Sequence, residues 1–85
     1  MSLELDADLA RLGRMKPPER FAYWCRKVLA DNPRAAAQYR DAGHTLGRFR
    51  HDLEQQTLNK DPIVARCSRE ERDRILATLA PRLPD

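Results

Sequence analysis

The stretch RAAAQYRDAGHTLGRFRHDLEQQTL, residues 34–58, decides how the chain is read. Its apolar positions Ala35, Tyr39, Ala42, Leu46, Phe49 and Leu53 alternate steps of four and three residues. That spacing lines side chains along one face of a helix. It predicts one long helix over residues 33–58, with Asn32 as N-cap and Pro33 in the first turn. Gly43 and Gly47 fall inside this helix, and each costs about 1 kcal/mol relative to alanine. They also flank the seam, where a small residue lets a second helix approach closely.

A helix-turn-helix is the competing reading, with Gly43 in the turn and residues 46–55 as the recognition helix. Tyr39, four positions before the glycine, is bulky where such a turn takes something small. The apolar seam also passes through Gly43 without changing phase, which a sharp turn would not allow. The continuous helix is therefore the expectation.

Outward from that segment the signals are again helical. Leu5, Leu9 and Leu12 recur at i, i+4 and i+7, predicting a short amphipathic helix over residues 3–14 that ends near Gly13. Pro17 and Pro18 break the chain and open a helix over residues 18–31. Phe21, Trp24, Cys25 and Val28 share one of its faces, with Arg20, Tyr23 and Lys27 opposite. Beyond residue 58, Asp61-Pro62 starts a short helical turn over 62–66. Ser68 and Glu71 then form a capping box for a last helix over 69–80 that buries Ile75, Leu76 and Leu79. The expected fold is a compact all-α bundle of four helices in a single domain spanning residues 1–85.

Composition agrees with a small, polar helical protein. The chain has 85 residues, 41% hydrophobic and 34% charged, with only three glycines. Strand-favouring residues are sparse and do not alternate, so no sheet is expected. A core this thin supports a stability of about 4–12 kcal/mol and leaves little interior for a deep catalytic pocket. Two cysteines and the lack of a leader-like or membrane-length apolar run point to a reducing cytoplasm. Arginine outnumbers lysine thirteen to three. That bias fits a GC-rich bacterial or mobile-element origin, and it also fits an interface rich in planar, multidentate donors.

No constellation carries catalysis. His44 and His51 lie among arginines on the expected long helix and lack further ligands, so they read as solvated side chains rather than a metal site. Cys25, beside Trp24, reads as a packed core thiol, and Cys67 precedes a helix start without an adjacent base. Arg40 and His44, one turn apart, have the composition of a small ribonuclease toxin, but any arginine-rich helix produces that pair. The expectation is a non-enzymatic protein with no cofactor and no metal.

What remains is surface. Arg40, His44, Arg48 and His51 form a basic strip on the long helix, and Arg20, Tyr23 and Lys27 add cations and an aromatic ring on helix two. These seven residues are the candidate contacts. The net charge of +3 permits phosphate contact without demanding it. The reading is therefore a stoichiometric binding or regulatory protein that acts through protein–protein contacts on a larger macromolecule. The alternative is a nucleic-acid-binding regulator using the same basic face. A second copy of the chain is also an admissible partner; a membrane is not expected.

Overall fold

The structure, a computed structural model, describes residues 12–84. It is all-α: helices α1 (Pro17–Asp31), α2 (Ala35–Asp41), α3 (Leu46–Lys60) and α4 (Arg69–Leu79), with a 3₁₀ helix (Pro62–Arg66) between α3 and α4. The helix expected over residues 3–14 lies almost wholly outside the described residues; only its end, residues 12–14, is seen, and it is helical. Among the described residues there is no strand, and no helix is long and apolar enough to cross a membrane.

Local chemistry sets most boundaries where the sequence signals lie. Pro17 and Pro18 occupy the first turn of α1, where their missing N–H groups have no intrahelical partner to lose. Asp61 accepts from the Ile63 amide at 3.3 Å and starts the 3₁₀ helix. Ser68 Oγ accepts from the Glu71 amide at 3.1 Å and donates to the Glu71 carboxylate at 3.0 Å, opening α4.

The long helix over residues 33–58 is not formed. Its sequence makes two helices, α2 and α3, separated by residues 42–45. Gly43 has φ +79°, the left-handed conformation that side chains resist. Around it the His44 amide donates to the Tyr39 carbonyl at 2.9 Å and the Gly43 amide to the Arg40 carbonyl at 3.0 Å. These paired bonds are those of a Schellman C-cap, which closes α2 and satisfies its last carbonyls. Thr45 then starts α3 afresh, its hydroxyl accepting from the Arg48 amide at 3.1 Å. Asn32 likewise does not open a helix. Its amide caps the end of α1 on the Val28 carbonyl at 3.3 Å, and α2 begins only at Ala35.

The core sits between α1, α3, the 3₁₀ helix and α4. Phe21 and Cys25 of α1 meet Phe49 and Leu53 of α3, Val64, Leu76 and Ala80. Ala35, Ala36 and Tyr39 bring α2 against this cluster without being fully buried. In α4 only Leu76 is fully buried, while Ile75 and Leu79 stay half-exposed.

Three polar ties fix the helices around that core. The Asp61 carboxylate receives Arg20 Nε and Trp24 Nε1, each at 2.8 Å, with Arg20 Nη2 at 2.6 Å. Glu54, buried on α3, accepts from Arg69 Nη1 at 2.9 Å and faces Arg72 Nε at 3.1 Å on α4. The Arg72 contact is ionic, its angles lying outside hydrogen-bond geometry. Arg50 donates to the Ala80 and Pro81 carbonyls at 2.8 and 3.3 Å, tying the end of α4 to α3.

The two glycines should respond oppositely to alanine. Gly43→Ala forces a side chain into a positive-φ site and should lose about 1–2 kcal/mol in urea denaturation. At Gly47 an added Cβ meets only Thr45 Oγ1 at 3.8 Å, so Gly47→Ala should gain about 0.5–1 kcal/mol. Asp61→Ala strands the Arg20 guanidinium and should cost about 3 kcal/mol in the same assay.

Candidate functional site

The seven candidate contacts do not form one surface. Arg20 is taken up internally: it is paired with Asp61, its Nη1 donates to the Leu12 carbonyl at 2.8 Å, and its side chain is only 15% exposed. Tyr23 and Lys27 stand on the side of α1 away from Phe21 and Cys25, which point into the core. Tyr23 packs edge-on against Trp24 with centroids 5.2 Å apart, and the Lys27 ammonium lies 5.9 Å from the centre of the Tyr23 ring.

The strip Arg40, His44, Arg48 and His51 is divided by the helix break. Arg40 lies in the last turn of α2 and contacts Asp41 at 3.0 Å, His44 lies in the turn, and Arg48 and His51 ride on α3. Because α3 turns Phe49, Leu53 and Thr57 inward, Arg48, His51 and Gln55 face outward. Tyr23 and Lys27 look away from α3, so the candidates form two patches on different sides of the molecule.

The turn is locked by contacts that sequence reasoning did not anticipate. The Tyr39 hydroxyl donates to Asp52 at 2.5 Å, and Arg48 Nε reaches the same carboxylate oxygen at 3.2 Å. The Tyr39 bond holds the Asp52 carboxyl below its ordinary range, assisted by Arg48. The same bond pushes the Tyr39 phenol up. The ring of Tyr39 packs edge-on against Phe49 at 5.1 Å and lies 5.3 Å from the His44 imidazole. The spacing Tyr39 to Asp52 carries no signal in a sequence read as one helix, since the two fall more than three turns apart.

Among the described residues, hollows open between the helices. The first, about 240 Å³, lies among α1, α2 and α3, with Val28, Leu29, Tyr39, Phe49 and Leu53 on its walls and Lys60 at its rim. A second, about 250 Å³, runs between α3 and α4 past His51, Glu54, Arg69 and Asp73. The third, about 150 Å³, is a groove between α1 and α4 bounded by Ala22, Arg26, Arg74, Ile75, Thr78 and Leu79.

Reactive groups sit elsewhere. Cys25 is fully buried with its Sγ 3.5 Å from Thr57 Oγ1. Burial pushes its thiol up to about 11, partly opposed by the Thr57 hydrogen bond. Cys67 is also buried and its thiol is likewise raised by desolvation. Among the described residues no group of three His, Cys, Asp or Glu side chains is placed to hold a metal ion. Fifteen of the sixteen Lys and Arg, but only nine of the thirteen Asp and Glu, fall in residues 12–84, so the described body carries a formal charge of +6.

No protein-family model matches the chain, and no curated protein and no solved structure matches it either.

Both thiols should react slowly with Ellman's reagent in the folded protein near pH 8, where a thiol raised by burial is scarcely ionised. Both should react at once in denaturant. Rapid labelling of Cys25 in native buffer would contradict its packing against Thr57.

Proposed function

We propose that this chain is a non-enzymatic, cytoplasmic binding protein of bacterial or mobile-element origin that acts stoichiometrically through protein–protein contacts on a larger partner. The observation that carries this reading is the outer face of α1. There Tyr23 is braced edge-on by Trp24 and overlaid by Lys27. A partly exposed aromatic ring, already held in one orientation, loses little entropy when a partner covers it. Tyrosine and arginine are also the side chains that concentrate binding energy at protein interfaces. Arg26 lies beside this pair on the same helix.

A second reading, nucleic-acid binding, is favoured by the break at Gly43. It leaves the outer face of α3 as a separate helix carrying Arg48, His51 and Gln55, with His44 just before it. Arginine and glutamine on an exposed helix suit phosphates and base edges, and the +6 body would add long-range attraction.

Capture from a lysate of the native host, with and without nuclease and at low and high salt, separates the two. Wild-type protein should retain a defined protein after nuclease and in high salt. Tyr23→Ala with Lys27→Glu should lose it, whereas Arg48→Glu with His51→Glu should keep it. All variants should keep their helical circular dichroism. Recovery of nucleic acid that disappears at high salt, and only with the Arg48 and His51 pair intact, would install the second reading instead.

A further inference from the structure

The groove between α1 and α4 combines two properties that neither helix has alone. Its floor is apolar because Ala22 of α1 is too short to fill the space opposite Ile75 and Leu79 of α4. Ile75 and Leu79 are one turn apart and only half-buried, although they pack against the core from outside. Thr78 adds a methyl group rather than a polar group, since its hydroxyl is turned back to the Arg74 carbonyl at 3.0 Å. The space of about 150 Å³ has room for a large apolar side chain inserted from outside.

The rim is cationic. Arg26 stands one turn beyond Ala22, is exposed, and makes no ion pair among the described residues. Across the groove, Arg74 has only a distant contact with Glu70 at 3.7 Å, with the two side chains 70% and 88% exposed. A pair that open to solvent contributes little and is readily exchanged. Lys27, next to Arg26 on α1, stands over the Tyr23 ring outside the groove lining. Of the acids on these helices, Glu71 is engaged by Ser68 and Asp73 by Arg69. That leaves Glu19, one turn before Ala22, Glu70, and Asp31, which ends α1 and lines the hollow among α1, α2 and α3 instead of this groove, to set against Arg26, Lys27 and Arg74.

We infer that the α1–α4 groove is a docking site for an acidic amphipathic helix of a partner protein. One of the helix's large apolar side chains fills the space over Ala22, and its flanking carboxylates meet Arg26 and Arg74. The charge complementarity selects an acidic segment, and the apolar floor selects an amphipathic one; a nucleic-acid backbone would use the arginines but leave the floor empty. The inference rests on the protein-recognition reading above, to which it adds the location and the chemistry of the partner.

The test uses the full chain, labelled with ¹⁵N, and three short stapled helices. One carries a leucine pair one turn apart flanked by glutamates, the second has lysines for the glutamates, and the third has serines for the leucines. The acidic leucine helix should shift amide resonances of residues 22–27 and 74–79, and the other two should not. Arg26→Glu with Arg74→Glu should weaken its binding about ten-fold or more. Ala22→Leu, which fills the groove and removes no charge, should abolish the shifts while circular dichroism stays helical. No shift at about 1 mM acidic helix, or equal binding by the wild type and both variants, overturns the inference. Shifts confined to residues 44–55 overturn the groove while leaving protein recognition in place. A DNA duplex that shifts residues 44–55 when no peptide binds removes both.

Discussion

The carboxylate of Asp61 is the constraint on which the arrangement of helices depends. It stands at the end of α3 and at the start of the 3₁₀ helix, so its backbone finishes one element as its side chain caps the next. The same side chain draws in α1 through Arg20 and Trp24, and Arg20 in turn holds the Leu12 carbonyl. An ionised group that is only 6% exposed is tolerated because both its oxygens meet donors, Oδ2 from Arg20 and Trp24 and Oδ1 from the Ile63 amide. Apolar packing alone permits helices to slide or rotate by a side chain. A carboxylate held by donors of three residues does not, and it sets the register of α1 against α3.

Arginine serves this architecture as much as any partner. Arg20, Arg50, Arg69 and Arg72 join elements distant in sequence, and Arg20 and Arg50 use several donors of one planar group where lysine offers a point charge. Four of the thirteen arginines are thus taken up in holding the fold together. The cations left at the surface then fall into separate patches, because α1 and α3 each turn their apolar face inward and carry their polar residues to different sides.

Elements whose boundaries rest on a short-range signal were readable in the sequence: the two prolines before α1, Asp61-Pro62, and Ser68 with Glu71. The break at Gly43 was present too, as a glycine two residues before a threonine, yet the apolar spacing argued against it. Ala35 and Tyr39 on α2 and Leu46, Phe49 and Leu53 on α3 all face the same cluster. The linker happens to carry the spacing on, with Ala42, exposed in the structure, supplying the missing beat. Periodicity reports which residues meet the core and is blind to a change of axis between them. The candidate surface was less legible for a related reason. Arg20 shares α1's polar face on a helical wheel, but the 3₁₀ helix and Asp61 come to lie against that face, and the chain separation of 41 residues conceals it. Arg26 and Arg74, 48 positions apart in the chain, border one groove only because α4 packs beside Ala22.

The chain has one tryptophan, and its indole N–H is bonded to Asp61. Emission from an indole depends on the charge and water around it, so Trp24 is an optical gauge fitted to the carboxylate that organises the fold. Any event that draws the 3₁₀ helix away from α1 hands that N–H to solvent before the hydrophobic cluster needs to open. Fluorescence of the unmodified protein therefore follows the polar tie, while far-ultraviolet dichroism follows the helices. A lag between the two signals would time the order in which this molecule comes apart.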